Sequence, residues 1–373
     1  MMNLISEDIN HMGTALALAR RGQGMVAPNP AVGCIIVGGD GQIVGRGWTQ
    51  IGGRPHAENE AIRRAGAQCR GATAYVTLEP CNHEGETAAC SKSLIKADIK
   101  RVVVACEDPD PRVSGNGIKR LKKAGIEVVQ GILEEEAKYL NKGFFKRLSE
   151  GRPLFTLKLA TTLDGKIATK CGHSKWITGP EARAIGHMLR ARHDAIIIGI
   201  GTALADEPRL TCRIVGMEDY SPRRIIIDSK LKLPLSNPLV KTANEIPTVI
   251  LTAVRENKKK FTAFQKKGVK VIELAPSFSG QLTPELIAKN LGIEGLNNVL
   301  LEGGSKLAGS FIGAGLIDRL AWFQAPKIIG GDGINSIAEF GVENLLDAQS
   351  YRRISQRQCG KDLHEIYERT NGN

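Results

Sequence analysis

Aromatic residues make up only 5% of this 373-residue chain. Platforms on which nucleic-acid bases could stack are therefore scarce. No run approaches the roughly 20 apolar residues of a membrane-spanning helix. The start carries Glu7 and Asp8 and lacks the apolar block of a secretory signal, so the expected location is the cytoplasm, with no membrane partner. The eight cysteines, at positions 34, 69, 81, 90, 106, 171, 212 and 359, are scattered. They form none of the dense frameworks of small secreted domains. Cys34 and Cys106 lie in apolar runs and read as buried small hydrophobes. A long lysine or arginine block is also missing. The net charge is nonetheless +12, and most of the excess lies after residue 150. Spread in this way, it suits a phosphorylated small molecule at least as well as a polynucleotide.

What is present is alternation. Strand-like runs at Ala31–Val37, Ile43–Trp48, Thr73–Leu78, Arg101–Ala105 and Ile126–Val129 are interleaved with helical runs. Those helices are expected at His56–Ala65, Thr87–Lys96, Gly117–Ala124 and Leu133–Leu148. The last has an acidic first turn and a basic last turn, which suits the helix dipole. Glu150-Gly151-Arg152-Pro153 breaks the pattern, and a second alternating series begins at Leu154. Its strands are expected at 154–160, 195–199, 224–228, 248–252, 269–274, 298–301 and 320–324. Its helices are expected at 180–192, 283–291 and 305–314. Two α/β domains follow, 1–150 and 151–373. Residues 335–373 carry no readable motif.

The densest chemistry lies in the first domain. Pro55-His56-Ala57-Glu58, then Glu79-Pro80-Cys81 and Cys90, supply one imidazole, two thiols and a spare carboxylate. A catalytic zinc needs three protein ligands and one open position, and His56, Cys81 and Cys90 provide the three. Glu58 stands two residues from His56, and such positions do not face each other on a helix. It is therefore expected as the proton carrier rather than a ligand, the division of labour of zinc deaminases. His83 is a candidate loop residue near the substrate. The second domain offers buried-strand and turn positions with polar chemistry. Lys158, Asp206 and Glu302 are the candidates, and Gly303-Gly304 before a helix at Ser305 can present backbone N–H groups to a phosphate.

These residues resemble a known family. Asn29-Pro30-x-Val32-Gly33-Cys34, Pro55-His56-Ala57-Glu58, the run from Gly71 to Cys81 and Asp108-Pro109-Asp110-Pro111 resemble the deaminase half of the bifunctional riboflavin biosynthesis proteins. Leu157-Lys158-Leu159-Ala160, Leu163-Asp164-Gly165-Lys166-Ile167-Ala168, Trp176-Ile177-Thr178-Gly179, the run from Gly199 to Pro208 and Glu302-Gly303-Gly304 resemble the reductase half. The resemblance implies a cytidine-deaminase-like three-layer α/β/α domain followed by a dihydrofolate-reductase-like α/β domain. It implies two successive steps, with Zn2+ and NADPH as cofactors. A phosphoribosylamino diaminopyrimidinone is deaminated to a uracil, whose ribosyl group is then reduced to ribityl. It further implies that Lys158, Ser174, Arg190, Leu210, Arg213 and Glu302 contact substrate. Arg190 and Arg213 would take its phosphate, a task suited to the guanidinium fork. Ala160, Trp176, Thr202, Asp206, Ser229 and Gly304 would line the cofactor site. Asp206 is the expected acid or polarising group, with Lys158 second. A homo-oligomer, dimer or tetramer, is expected.

The chain also departs from the family pattern. His83-Glu84-Gly85-Glu86-Thr87-Ala88-Ala89-Cys90 stands where the family has a basic residue at the position of Glu86 and prolines at those of Ala88 and Ala89. Thr49 stands where many members have His. Three rival readings stay open. One is a deaminase of nucleic-acid bases, which would need stacking aromatics around the metal. Another is a binding protein with a structural zinc, which would need a fourth protein ligand. The third is a reductase whose deaminase has decayed.

Overall fold

Both alternating series become sheets. The computed structural model describes residues 2–82, 88–254, 257–278 and 280–370, so His83 and Glu86 lie outside the described residues. The chain divides into two compact units, Met1–Glu150 and Gly151–Asn373.

In the first unit, β1 (Gly33–Val37), β2 (Ile43–Trp48), β3 (Thr73–Val76), β4 (Arg101–Val104) and β5 (Glu127–Gln130) form a five-stranded sheet in the order β2-β1-β3-β4-β5. The β1–β2 and β1–β3 pairs are antiparallel, whereas β3–β4 and β4–β5 are parallel. Val and Ile fill β1 and β4, and Cys34, Ile35, Ile36, Val102, Val103 and Val104 have no exposed surface. Burying each valine or isoleucine contributes roughly 1.5–3 kcal/mol. Helix Ala57–Ala65 lies directly on β2. A side chain at Gly47 would place its Cβ 2.1 Å from the Ala57 carbonyl oxygen, so only glycine permits this approach. The glycine thereby sets the height of the helix start that carries His56.

The helix expected over Leu133–Leu148 is instead two, Glu134–Leu140 and Lys142–Glu150. The break is at Asn141. Its side chain accepts from Ala31 N–H at 2.9 Å and donates to Ala31 O at 3.0 Å. A partner 110 residues away thus overrides a continuous local helix signal. The expected helix at Thr87–Lys96 is described from Cys90 to Lys96.

A buried ion pair ties the first helix, Met2–Ala19, to β4. Arg101 donates to both carboxylate oxygens of Asp8 at 2.9 and 2.8 Å, and the Tyr75 hydroxyl donates at 2.8 Å. Burial pushes the Asp8 carboxyl up, but these donors outweigh it and hold it below its ordinary value. A depressed folded-state pKa stabilises above the unfolded value, about 4, and that contribution is lost as pH falls below it. Asp8→Asn should therefore cost about 3 kcal/mol of unfolding free energy at pH 7 and much less at pH 3. Urea unfolding at the two pH values checks this; equal losses would show that the charge is not what ties the helix down.

The second unit is built on β6 (Leu154–Thr161), β8 (Ala195–Gly199), β9 (Arg223–Ile227), β10 (Thr248–Thr252), β11 (Val269–Glu273), β12 (Asn298–Leu301) and β13 (Ile317–Gln324). These seven run parallel, in the order β11-β10-β9-β8-β12-β6-β13. An antiparallel hairpin, β15 (Tyr351–Cys359) and β16 (Asp362–Arg369), extends the sheet beyond β13. The short β7 (Lys166–Ala168) and β14 (Ile334–Asn335) pair apart from it. Strands covered on both faces read as continuous apolar runs, as Ile196, Ile197 and Ile198 do, all fully buried. Parallel strands align their C-terminal ends, and in open α/β sheets ligands bind beyond those ends. Among the described residues no helix is long and apolar enough to cross a membrane.

Candidate active sites

Three ligand atoms converge in the first unit. His56 caps helix Ala57–Ala65, Cys81 follows the exit of β3, and Cys90 opens helix Cys90–Lys96. His56 Nδ1 stands 3.3 Å from Cys90 Sγ and 3.6 Å from Cys81 Sγ. All three ligand atoms lie within 4.8 Å of one another. Zinc–sulfur and zinc–nitrogen bonds of about 2.3 and 2.0 Å give tetrahedral edges of about 3.5 Å. The donor set therefore fits a zinc ion, and no fourth protein ligand joins it among the described residues. The Cys81 thiol is held low, at about 4, by donation from Cys90 and His56 despite burial. Cys90 N–H also donates to Cys81 Sγ at 3.3 Å, and helix N-termini favour thiolates.

Glu58 sits one residue into the helix, 3% exposed, outside the ligand trio. Burial, then the nearby Cys81 sulfur, push its carboxyl up to about 7. A carboxyl poised there can both accept and return a proton near neutral pH.

Sequence reading gave Glu79 no role. Its carboxylate accepts N–H bonds from Gly115, Gly117 and Ile118 at 2.9, 2.8 and 3.1 Å, and from Asp108 at 3.3 Å. That clamps the Asp108–Ile118 segment beneath the Pro80–Cys81 turn. A Cβ on Gly117 would fall 2.1 Å from Pro80 O. The signal was present in Glu79-Pro80-Cys81, but its four partners lie 29 to 39 residues away. Thr49 is buried and spent on backbone: Oγ1 accepts from Val32 N–H at 2.9 Å and donates to Pro30 O at 3.1 Å.

The second unit opens a cleft of about 1250 Å³ across the C-terminal ends of β6, β12, β8 and β9. Lys158, Ala160, Ser174, Thr202, Asp206, Ser229, Glu302 and Gly304 line it. An adjoining recess of about 130 Å³ shares Lys158 and Glu302 and adds Trp176, Arg190 and Arg213. Eleven of the twelve residues expected in this unit therefore line the cleft or the recess beside it. Leu210 is the exception, because its side chain is 3% exposed and packs in the core with Ile196, Ile198 and Ile226. Trp176 is no core aromatic: it is 62% exposed, with the Arg183 guanidinium 4.4 Å from its ring centre.

At the junction of cleft and recess, Arg190 grips Glu302 with two bonds of 2.8 Å and donates a third to Thr211 O at 3.0 Å. Lys158 Nζ lies 3.9 Å from the same carboxylate. Burial pushes Glu302 up, but Arg190 and Lys158 hold it down at about 2. Burial lowers the Lys158 ammonium, with Glu302 opposing. Asp206 is exposed at the end of helix Ile200–Ala205. Gly304 N–H donates to Thr202 Oγ1 at 3.1 Å, which joins the two glycine-containing turns. Backbone N–H groups at the start of helix Ser305–Gly313, together with the cleft's lysines, suit an anionic dinucleotide.

The chain matches two families, the cytidine and deoxycytidylate deaminase zinc-binding region over residues 5–106 and the RibD C-terminal domain over residues 153–364. It is 41% identical over 362 residues to riboflavin biosynthesis protein RibD of Aquifex aeolicus, covering 97% of this chain and 98% of that one. With the Escherichia coli RibD it is 39% identical over 368 residues, 96% and 98% of the two chains. The solved Acinetobacter baumannii RibD, form 1, superposes with a TM-score of 0.87 at 36% identity, covering 98% and 100%. A deaminase/5-amino-6-(5-phosphoribosylamino)uracil reductase from Thermotoga maritima gives 0.85 at 33% identity, covering 98% and 99%. The chain therefore belongs to the RibD family, the bifunctional deaminase–reductases of riboflavin biosynthesis, which use zinc and NADPH.

Proposed function

We propose that residues 1–150 deaminate 2,5-diamino-6-(5-phosphoribosylamino)pyrimidin-4-one and that residues 151–373 reduce the ribosyl group of the resulting uracil. The observation that carries this reading is one chain holding both a His56–Cys81–Cys90 convergence beside buried Glu58 and a partly buried Lys158–Glu302–Arg190 set in a dinucleotide-sized cleft. Zinc, when bound by the three ligands, supplies the Lewis acidity that activates water. Glu58 takes the proton from that water and passes it to the departing amine, and the dry pocket that raises its pKa suits both steps.

NADPH, held along the cleft by Ala160, Thr202, Ser229 and Gly304, would supply the hydride for the anomeric carbon, whose bond to the sugar ring oxygen breaks. Lys158 donates the proton to that oxygen. Partly buried beside Glu302, it is better placed than the exposed Asp206, which is assigned to the cofactor side. Arg190 fixes Glu302 through its fork. Arg213, exposed at the recess and without an acidic partner among the described residues, takes the phosphate. An assay of purified protein with this substrate should show ammonia release followed by NADPH oxidation, the first abolished by a zinc chelator. NADPH loss only from pre-deaminated substrate would favour a reductase with a silent first site, as the Glu86 departure suggests.

The reading includes a cytoplasmic homo-oligomer with no nucleic-acid partner. Leu345 and Leu346 are 88% and 91% exposed, and Arg352–Gln358 of the edge strand β15 is exposed throughout. Apolar side chains beside an unpaired strand edge favour self-association. Light scattering after gel filtration should give a dimer or tetramer, and Leu345→Asp with Leu346→Asp should lower that mass. A monomeric wild type would overturn this part, and deamination of single-stranded RNA would overturn the small-molecule assignment.

A further inference from the structure

The cleft has two ends, and its charges distinguish them. Lys158 and Ala160 stand at the end of β6, Glu302–Gly304 after β12, Gly199–Thr202 after β8, and Ser229, Lys230 and Lys232 after β9. In the order β9-β8-β12-β6, the two ends lie three strand spacings apart, about 14 Å at ~4.8 Å each. The proton donor and the phosphate-binding recess are at the β6 end, so the nicotinamide must lie there. The start of helix Ser305–Gly313, between the ends, suits the pyrophosphate. The adenosine half is left to the β9 end.

That end is built to hold spare positive charge. Along 230–233, Lys230 and Lys232 are exposed on the cleft wall, while Leu231 and Leu233 between and after them are buried at 2% and 0%. The two leucines anchor the segment in the core and aim the lysines outward. Asp228 Oδ2 accepts from Leu233 N–H at 2.7 Å, and Lys260 Nζ donates to Leu231 O. Both fix the turn. Some lysines of this unit are engaged: Lys270 pairs with Glu294, Lys327 donates to Trp176 O and Lys166 to Asn335. Lys230 and Lys232 have no acidic partner among the described residues. Asp228 Oδ1 is buried without a hydrogen-bond partner on the same wall. It is an acceptor suited to a ribose hydroxyl.

We propose that Lys230 and Lys232 grip the 2′-phosphate of NADPH at the β9 end of the cleft and thereby select NADPH over NADH. This rests on the reading of the cleft as the cofactor site. NADH carries a neutral hydroxyl where NADPH carries this phosphate, so removing the two cations should penalise one cofactor alone. Lys306, in the first turn of helix Ser305–Gly313, instead stands beside the pyrophosphate that both cofactors share.

The test is binding to the full-length enzyme. NADPH and NADH are titrated by nicotinamide fluorescence, and 2′,5′-ADP and 5′-AMP by calorimetry. For Lys230→Gln with Lys232→Gln, the Kd for NADPH and for 2′,5′-ADP should rise about 30-fold, as expected for two charge-assisted contacts. NADH and AMP should stay within about twofold. Lys306→Gln should weaken NADPH and NADH by the same factor. Equal losses for the two cofactors in the double variant, or an unchanged NADPH affinity, would overturn the proposal while leaving the cleft as the cofactor site. A wild type that binds neither cofactor would overturn the cleft assignment and the proposal together.

Discussion

Replacing Glu58 by Gln should cut ammonia release by about a thousandfold, within the range for losing a positioned general acid–base. NADPH oxidation with pre-deaminated substrate should not change. The substitution is nearly isosteric, and Glu58 is 3% exposed at the second position of helix Ala57–Ala65, so the shape of the site is retained. Zinc content should also stay at that of wild type, because His56, Cys81 and Cys90 converge without it. This separates the two roles a carboxylate could have here. A metal ligand, when replaced, would lose zinc and activity together. A proton carrier loses turnover alone. More than a tenth of wild-type ammonia release in a zinc-loaded Gln variant would sink the assignment. The position of its pKa, pushed up to about 7 by burial, explains why an acid normally ionised near pH 4 can return a proton to the leaving amine at neutral pH.

Lys158→Met should have the largest effect on the second reaction. The expected outcome is a loss of about a hundred- to a thousandfold in reductase kcat, with NADPH affinity within threefold of wild type and ammonia release intact. The choice of residue follows from the buried charges. Glu302 has two cationic neighbours, and Arg190 holds it through two bonds of 2.8 Å, whereas Lys158 stands at 3.9 Å. Removing Lys158 leaves the carboxylate paired. Removing Glu302 would strand two partly buried cations, a destabilising change, and lost activity could then reflect lost structure. Steady-state kinetics beside a cofactor titration checks the lysine. If kcat persists and only the affinity for substrate falls, Lys158 binds rather than protonates. Asp206→Asn is the contrasting variant. Exposed on the cofactor side of the cleft, it should lower kcat by less than about tenfold; a larger loss with Lys158→Met near wild type would reverse the two roles.

The zinc set could be read directly from residue identity, whereas most candidates of the second unit came from the family resemblance. The zinc set was legible because its ligands are chemically rare and local structure positions them, two at helix starts and one at a strand exit. Glu58 was expected as the proton carrier from the zinc-deaminase pattern and because positions two apart on a helix do not face each other. The alternation of apolar runs gave most strands of both sheets to within a residue or two. The missed elements have two causes. The helix break at Asn141 depends on Ala31, 110 residues earlier, and nothing in the local pattern announces it. The hairpin β15–β16 was unreadable because β15, exposed from Arg352 to Gln358, has no buried face to impose a period of two.

What the sequence by itself determined is the inventory: two α/β domains, a zinc triad with its carboxylate, and a set of reductase residues whose members it could name but not pair. Only the tertiary structure decided which of those residues meet and which are buried. It paired Arg190 with Glu302 across 112 residues, packed Leu210 into the core, exposed Trp176, and left Lys230 and Lys232 exposed on a cleft wall. The physical reason is range. Ligand type and helix or strand period act over a few neighbouring residues and are written in order along the chain. Charge pairing and burial act through space, and depend on which strand ends the sheet topology brings side by side.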